Sequence, residues 1–179
     1  MFRTARLLAV TAAAVVGIAP AAHATAADVS NGRSPDAVIA SFDGGWIDLT
    51  KGWGEATACW SKGESTACFR TEAEMDRTMN ARSNGPTPLA SCSSSLRLYR
   101  STGFAGGVLN LTTQNTYINL STYGFDNDTS SYRVGACAAA FYDGANGGAP
   151  LYPGATGAGA SASSMAAGWD NRISSVYIT

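Results

Sequence analysis

One eight-residue run occurs twice. Gly124-Phe125-Asp126-Asn127-Asp128-Thr129-Ser130-Ser131 returns as Gly168-Trp169-Asp170-Asn171-Arg172-Ile173-Ser174-Ser175, 44 residues later. Upstream, Tyr99…Phe104-Ala105-Gly106 returns as Phe141…Asn146-Gly147-Gly148, 42 residues later. Two signatures at nearly one spacing define a unit of about forty residues used twice. Neither copy has enough apolar surface for a core of its own, so the two must share one.

The unit is readable in physical terms. An aromatic, a four-residue gap and then x-Gly suits a strand that folds back tightly on itself, the glycine supplying a positive φ. The Asp-Asn-x-x-Ser-Ser run carries short polar side chains that bond nearby backbone and order a loop. Strand-like runs surround these signatures: LRLY, GVLNL, YINL, SYRVG, ACAAAF and a terminal RISSVYI. Four short strands per unit predict an all-β, two-repeat Greek-key sandwich. The Gly/Ala/Ser-rich stretch 154–164 reads as a long connection. The repeats are expected over 93–135 and 136–179.

The paired motifs, over roughly Leu96 to Thr179, resemble microbial βγ-crystallin domains, a superfamily that also holds secreted metalloproteinase inhibitors and killer-toxin-like proteins. The second copy departs at Asn146, where an aromatic is expected, so its turn should pack less well. The resemblance implies two calcium sites. Their ligands would be Asp126, Asn127 and Ser130 in one loop and Asp170, Asn171 and Ser174 in the other. Asp128 and Arg172 would give backbone carbonyls, and each hydroxyl would come from the opposite repeat. Carbonyls near Thr102 and Gly144 would complete the shells. Oxygen donors of this kind suit Ca²⁺, and the scarcity of carboxylates implies weak, extracellular-range affinity. The alternative is a motif that orders its loop and holds no metal.

The N-terminus points to export. Arg3 and Arg6 precede an apolar run from Leu7 to Pro20, and Ala22-His23-Ala24 is a small-x-small cleavage site, together a secretory signal peptide over 1–24. Residues 25–37 read as a flexible start. The mature chain would lose two of twelve basic residues and keep all thirteen acidic ones, a net charge of −3. That surface argues against nucleic acid, and no stretch is apolar enough for a membrane span. The only histidine, His23, would leave with the leader. The mature chain then lacks any imidazole for a Ser-His or Cys-His catalyst, and no enzymatic function is expected.

The cysteines are Cys59, Cys68, Cys92 and Cys137. An even count in an exported chain reads as two disulfides with three possible connectivities. Cys59–Cys68 and Cys92–Cys137 are favoured; a Cys₄ metal site is disfavoured because no CxxC is present.

Residues 38–92 read as a small β-rich, disulfide-pinned appendage. Three strands are expected within VIASF, GGWIDL and ATACW, and one helix near 72–82 behind the Thr71-x-x-Glu74 capping box. Glu72, Glu74 and Asp76 then mark a helix N-terminus rather than a catalytic pair. The echo of Phe42-Asp43-Gly44-Gly45 in Phe104-Ala105-Gly106-Gly107 allows a degenerate, metal-free third unit. Trp46, Trp53 and Trp60 read as core first and as a gripping surface second. The leading function is a secreted, monomeric, calcium-binding structural or binding protein acting on a cell-surface component. The alternative is an inhibitor of a secreted protease, with Trp60 to Ala67 as the inhibitory loop.

Overall fold

The computed structural model describes residues 37–82 and 95–179. The expected signal peptide, most of the flexible start, the proline-containing linker and Cys92 lie outside the described residues.

The N-terminal segment forms two hairpins, β1 (Ile39–Phe42) with β2 (Gly45–Asp48), and β3 (Ala58–Lys62) with β4 (Ser65–Phe69). Helix α1 (Glu72–Arg82) follows. The rest is β5 (Leu96–Ser101), β6 (Ala105–Leu111), β7 (Tyr117–Asn119), β8 (Ser131–Arg133), β9 (Ala139–Gly144), β10 (Gly148–Leu151), β11 (Ser161–Ala162) and β12 (Ser175–Ile178).

Strand order shows how the repeats interlock. One sheet of four runs β10-β9-β12-β7; the other, of eight, runs β11-β8-β5-β6-β3-β4-β1-β2. Repeat one (β5 to β8) sends β7 to the second repeat's sheet, and repeat two (β9 to β12) sends β11 to the first. Each sheet therefore reads fold-over hairpin, closing strand, then a strand borrowed from the other repeat. This exchange is why forty residues cannot fold alone. The architecture is all-β Greek key, as the duplicated signature predicted.

Two expectations need correction. The appendage has four strands, not three: β4 is the extra one, held in register with β3 so that Cys59 lies opposite Cys68. The stretch 154–164 is not wholly a connection, because Ser161 and Ala162 pair with Arg133 and Tyr132. Alanine and serine carry little strand propensity, and only the tertiary partner makes them a strand.

The appendage is continuous with the sandwich. β3 runs parallel to β6, pairing Ala58 through Ser61 with Val108 through Leu111. One core runs through both, from Ala40, Leu49 and Trp53 to Phe125, Phe141 and Ile173. An aromatic chain crosses between the repeats: Tyr132 meets Phe141 at 4.9 Å and Tyr152 at 5.8 Å, and Tyr152 meets Trp169 at 5.3 Å. Each such pair adds stability beyond its buried area. Trp53 is core, Trp60 packs half-buried, and Trp46 stands out in solvent at 75% exposure.

Helix α1 starts as its sequence predicts. Thr71 Oγ1 accepts from Glu74 N–H at 3.2 Å, while Glu74 reaches back to Arg70 N–H at 3.2 Å. That is one residue beyond a true capping box. The helix lays Met75 and Met79 over Tyr99, Val108, Trp60 and Phe104, covering the outer face of the eight-stranded sheet. Glu72 and Asp76 are occupied by Arg97 at 2.6 and 2.5 Å, and Glu72 also accepts from the Tyr99 hydroxyl. Burial and that bond push Tyr99 up to about 12. No described helix is long and apolar enough to cross a membrane.

Candidate metal site

The two motif loops face each other. Ser130 Oγ lies 3.3 Å from Asn171 Oδ1, and Ser174 Oγ lies 3.4 Å from Asn127 Oδ1. Their backbones reciprocate: Asn127 N–H donates to the Ile173 carbonyl and Asn171 N–H to the Thr129 carbonyl, both at 3.0 Å. Ser130 N–H bonds Tyr99 O, and Ser174 N–H bonds Tyr142 O, both at 2.8 Å. Each of these contacts made by one loop has its counterpart in the other.

Local conformation follows from the residue types. Asn127 and Asn171 both sit at φ 54°, a left-handed backbone that asparagine tolerates through local side-chain bonding. Thr129 and Ile173 are buried, as are Phe125 and Trp169, so each loop is pinned at two apolar points and lifts its polar residues between them. Asp126, Asn127, Asp170 and Asn171 are exposed. The Asn127 amide points its nitrogen at Asp126 (3.3 Å) and its oxygen at Ser174.

The last serine of each motif has a different task. Ser131 Oγ donates to the Ser101 carbonyl at 2.6 Å and accepts from Phe104 N–H at 3.1 Å. Ser175 Oγ donates to the Gly144 carbonyl at 2.6 Å and accepts from Gly147 N–H at 3.0 Å. These serines lock the fold-over hairpins. They also settle the register: Tyr99 lies opposite Ser131, and Tyr142 opposite Ser175. The hairpins therefore correspond at a spacing of 43, making Phe104 equivalent to Gly147, not Asn146, and Ser101 equivalent to Gly144, which displaces Thr102 as the matching carbonyl. The missing ring is supplied from elsewhere. A Cβ on Gly147 would sit 2.3 Å from Tyr117 Cε1, and Tyr117 meets Tyr142 edge-on at 5.7 Å, as Phe104 meets Tyr99 at 5.8 Å.

That register exposes two residues the sequence reading missed. Arg100 pairs with Asp128 at 2.7 Å, and in the other repeat Asp143 pairs with Arg172. Positions 100 and 143 are equivalent, as are 128 and 172, so one ion pair is built twice with its charges exchanged. Each arginine also lies over aromatic rings, Arg100 over Trp53 and Phe125, Arg172 over Trp169. Burial raises the Asp128 carboxyl above its usual range, against the pull of Arg100. In a double-mutant cycle, D143R and R172D should each lower the melting midpoint. The double variant should recover part of the loss, with a coupling of about 0.5 kcal/mol. Additive losses would show the pair to be independent.

The donors suit a hard cation of modest affinity. With Asp128 held by Arg100, each loop gives one carboxylate, Asp126 or Asp170, an amide oxygen and, across the interface, a hydroxyl. Among the described residues no backbone N–H bonds the carbonyl of Asp128 or Arg172, which leaves those oxygens available. No group of three or more His, Cys, Asp or Glu forms among the described residues, so the set does not suit a transition metal.

Cys59 and Cys68 are joined, both buried in the sheet. The span proposed as an inhibitory loop is thus a regular hairpin, with only Gly63 and Glu64 between its strands. Cys137 is also disulfide-bonded; its expected partner, Cys92, lies outside the described residues.

No family model matches the chain, and no curated protein matches it. Among solved structures it is similar to a βγ-crystallin from Ciona intestinalis, at 22% identity over 48% of this chain and 100% of that one, TM-score 0.40. It is similar to the N-terminal domain of protein S at 19% identity over 48% and 96%, TM-score 0.40. It is also similar to a βγ-crystallin domain from Flavobacterium johnsoniae at 20% identity over 47% and 92%, TM-score 0.39. The Greek-key half is βγ-crystallin-like in fold, on its own strand order and exchanged strands. The inhibitor and killer-toxin side of the sequence resemblance has no support among these structures.

Proposed function

We propose that this is an exported βγ-crystallin-type binding protein whose sandwich is stabilised by two calcium ions, one held at each motif loop. The observation that carries the reading is the reciprocal approach of Ser130 to Asn171 and of Ser174 to Asn127. Oxygen donors from both repeats converge at each site, so an ion there would bind only when the repeats are mated. Binding energy is then folding energy. At an ion concentration one hundred times the Kd, each site contributes about 2.7 kcal/mol. Asp126, Asn127, Asp170 and Asn171, with Ser130 and Ser174, would hold the ions, together with the Asp128 and Arg172 carbonyls. The leader-like N-terminus supports export, and disulfide bonding of the described cysteines agrees with it. The protease-inhibitor alternative rests on fold analogy alone once its loop is part of the sheet.

Calorimetric melting of the mature chain in calcium and in chelator tests the reading. Calcium should raise the midpoint by about 5–10 °C. Crossing of the donors adds a sharper signature. S130A and N171A should damage the same site, so their effects on calcium affinity will not add. N171A and S174A should damage different sites, and theirs will add. An unchanged midpoint, with no heat on calcium titration, would refute the proposal.

A further inference from the structure

The pseudo-symmetry of the repeats breaks at one place. On the first repeat, Tyr99 is buried at 2% exposure beneath Phe104 and α1. Its counterpart Tyr142 has no helix over it among the described residues, since α1 lies over the other sheet, and with Gly147 at the Phe104 position its edge-on ring is Tyr117 from the first repeat. The uncovered face instead presents three tyrosines, one from each of β7, β9 and β12. Tyr117 lies 5.7 Å from Tyr142 and 5.1 Å from Tyr177, the ring planes inclined by 74° and 57°. Tyr117 keeps 47% of its surface in solvent.

Beside Tyr117 opens a groove of about 850 Å³, running between the appendage at Thr50 and Gly63 and the stretch 116–123. That volume is in the range of sites for small organic ligands. Its chemistry is narrow. Apart from Ile118 and Gly63 the lining is threonine, serine, asparagine and tyrosine, and it contains no Asp, Glu, Lys, Arg or His. A charged ligand would find no counter-ion, and an apolar one would desolvate a wall of hydroxyls and amides. What fits is a neutral molecule with many hydroxyls and a carbon face to lay on a ring.

The wall is also braced. Asn119 Nδ2 donates to Asn146 Oδ1, and Asn119 Oδ1 accepts from Asn146 N–H, both at 2.8 Å. These two hydrogen bonds tie Asn146, at φ 53°, to Asn119 where both line the groove. Tyr117 is wedged against the Gly147 backbone. A preformed polar wall costs little ordering on binding.

We propose that this groove binds a neutral oligosaccharide, with Tyr117 as the stacking platform and the Thr116 and Ser121 hydroxyls as polar contacts. The proposal does not depend on calcium.

Isothermal titration of the mature chain with chitohexaose, cellohexaose and mannohexaose, followed by amide NMR shifts, tests it. At least one hexamer should bind, shifting the amides of 116–123. Y117A should weaken that binding about tenfold. Because Tyr117 also packs on Gly147, S121D provides a second arm at an exposed residue, and it should weaken binding while leaving the melting midpoint within about 2 °C. No binding by any of the three at about 10 mM overturns the proposal, a millimolar Kd being already only about 4 kcal/mol. So does binding that neither variant alters.

Discussion

The W53A variant is expected to melt at least about 10 °C below the wild-type protein, in one transition. Trp53 is 6% exposed and meets Phe125 at 5.5 Å. Its indole N–H donates to the Tyr123 carbonyl at 2.7 Å, and Arg100 lies 4.6 Å over its ring. Removing a buried tryptophan costs about 3–5 kcal/mol through lost transfer energy and the cavity left behind. That is a large share of the 5–15 kcal/mol total of a typical domain. The loss falls at the joint between appendage and sandwich, where Ser61 and Tyr123 also share a buried 3.0 Å hydrogen bond and Thr66 donates to Ser61. One transition is expected because β3 is a strand of the same sheet as β6, so the appendage cannot leave without exposing the core beneath it. Chemical denaturation followed by far-UV and near-UV signals will check this. Two separated transitions, or a midpoint within about 3 °C of wild type, would show the joint to be weak.

The duplicated run was readable because its residues act locally. The pairing of the loops across the repeats came from the family resemblance. Gly-aromatic-Asp-Asn supplies a left-handed turn with its own bonding, so the loops themselves followed from short stretches of chain. The hairpin register did not. Phe141 looked like the partner of Tyr99 because both are aromatic, yet the sheet places Leu98 and Phe141 on the inner face and Tyr99 and Tyr142 on the outer. A one-residue slip reverses every side chain in a strand, and composition could not see it when both faces carry aromatics. At the correct spacing of 43, Arg100 and Asp143 could have been matched from sequence, and the exchanged ion pair with them. Strand β11 was hidden for another reason: Ser161-Ala162 has no pattern of its own and becomes a strand only because β8 has a free edge. Tyr117 as a stand-in for Phe104 was equally out of reach, since it lies in the other repeat.

Gly124 and Gly168 open the two copies of the motif, and alanine at each should give very different results. Both have positive φ, 60° and 75°. Holding alanine in that conformation costs roughly 1–2 kcal/mol wherever it occurs. At Gly168 nothing lies within 4 Å of an added Cβ, so G168A should lose about that much and fold normally. At Gly124 the same atom would stand 2.1 Å from the Leu49 carbonyl oxygen. This is backbone against backbone, in the turn that follows β2, with Leu49 fully buried and its N–H bonded to the Val38 carbonyl. Neither side can yield by changing a rotamer, so an overpacking cost of about 1–3 kcal/mol or more adds to the dihedral cost. G124A should therefore lose about 2–5 kcal/mol, a range that reaches the effect of W53A. The contrast separates two demands on one sequence position. If glycine is needed only for the motif's turn, the variants will melt alike. If the appendage is seated directly on the first motif loop, with the Leu49 carbonyl where a Cβ on Gly124 would stand, only G124A will be severe. Thermal melts of both variants in chelator remove any contribution from bound ions. Equal midpoints would mean that the appendage can shift away from the loop at little cost.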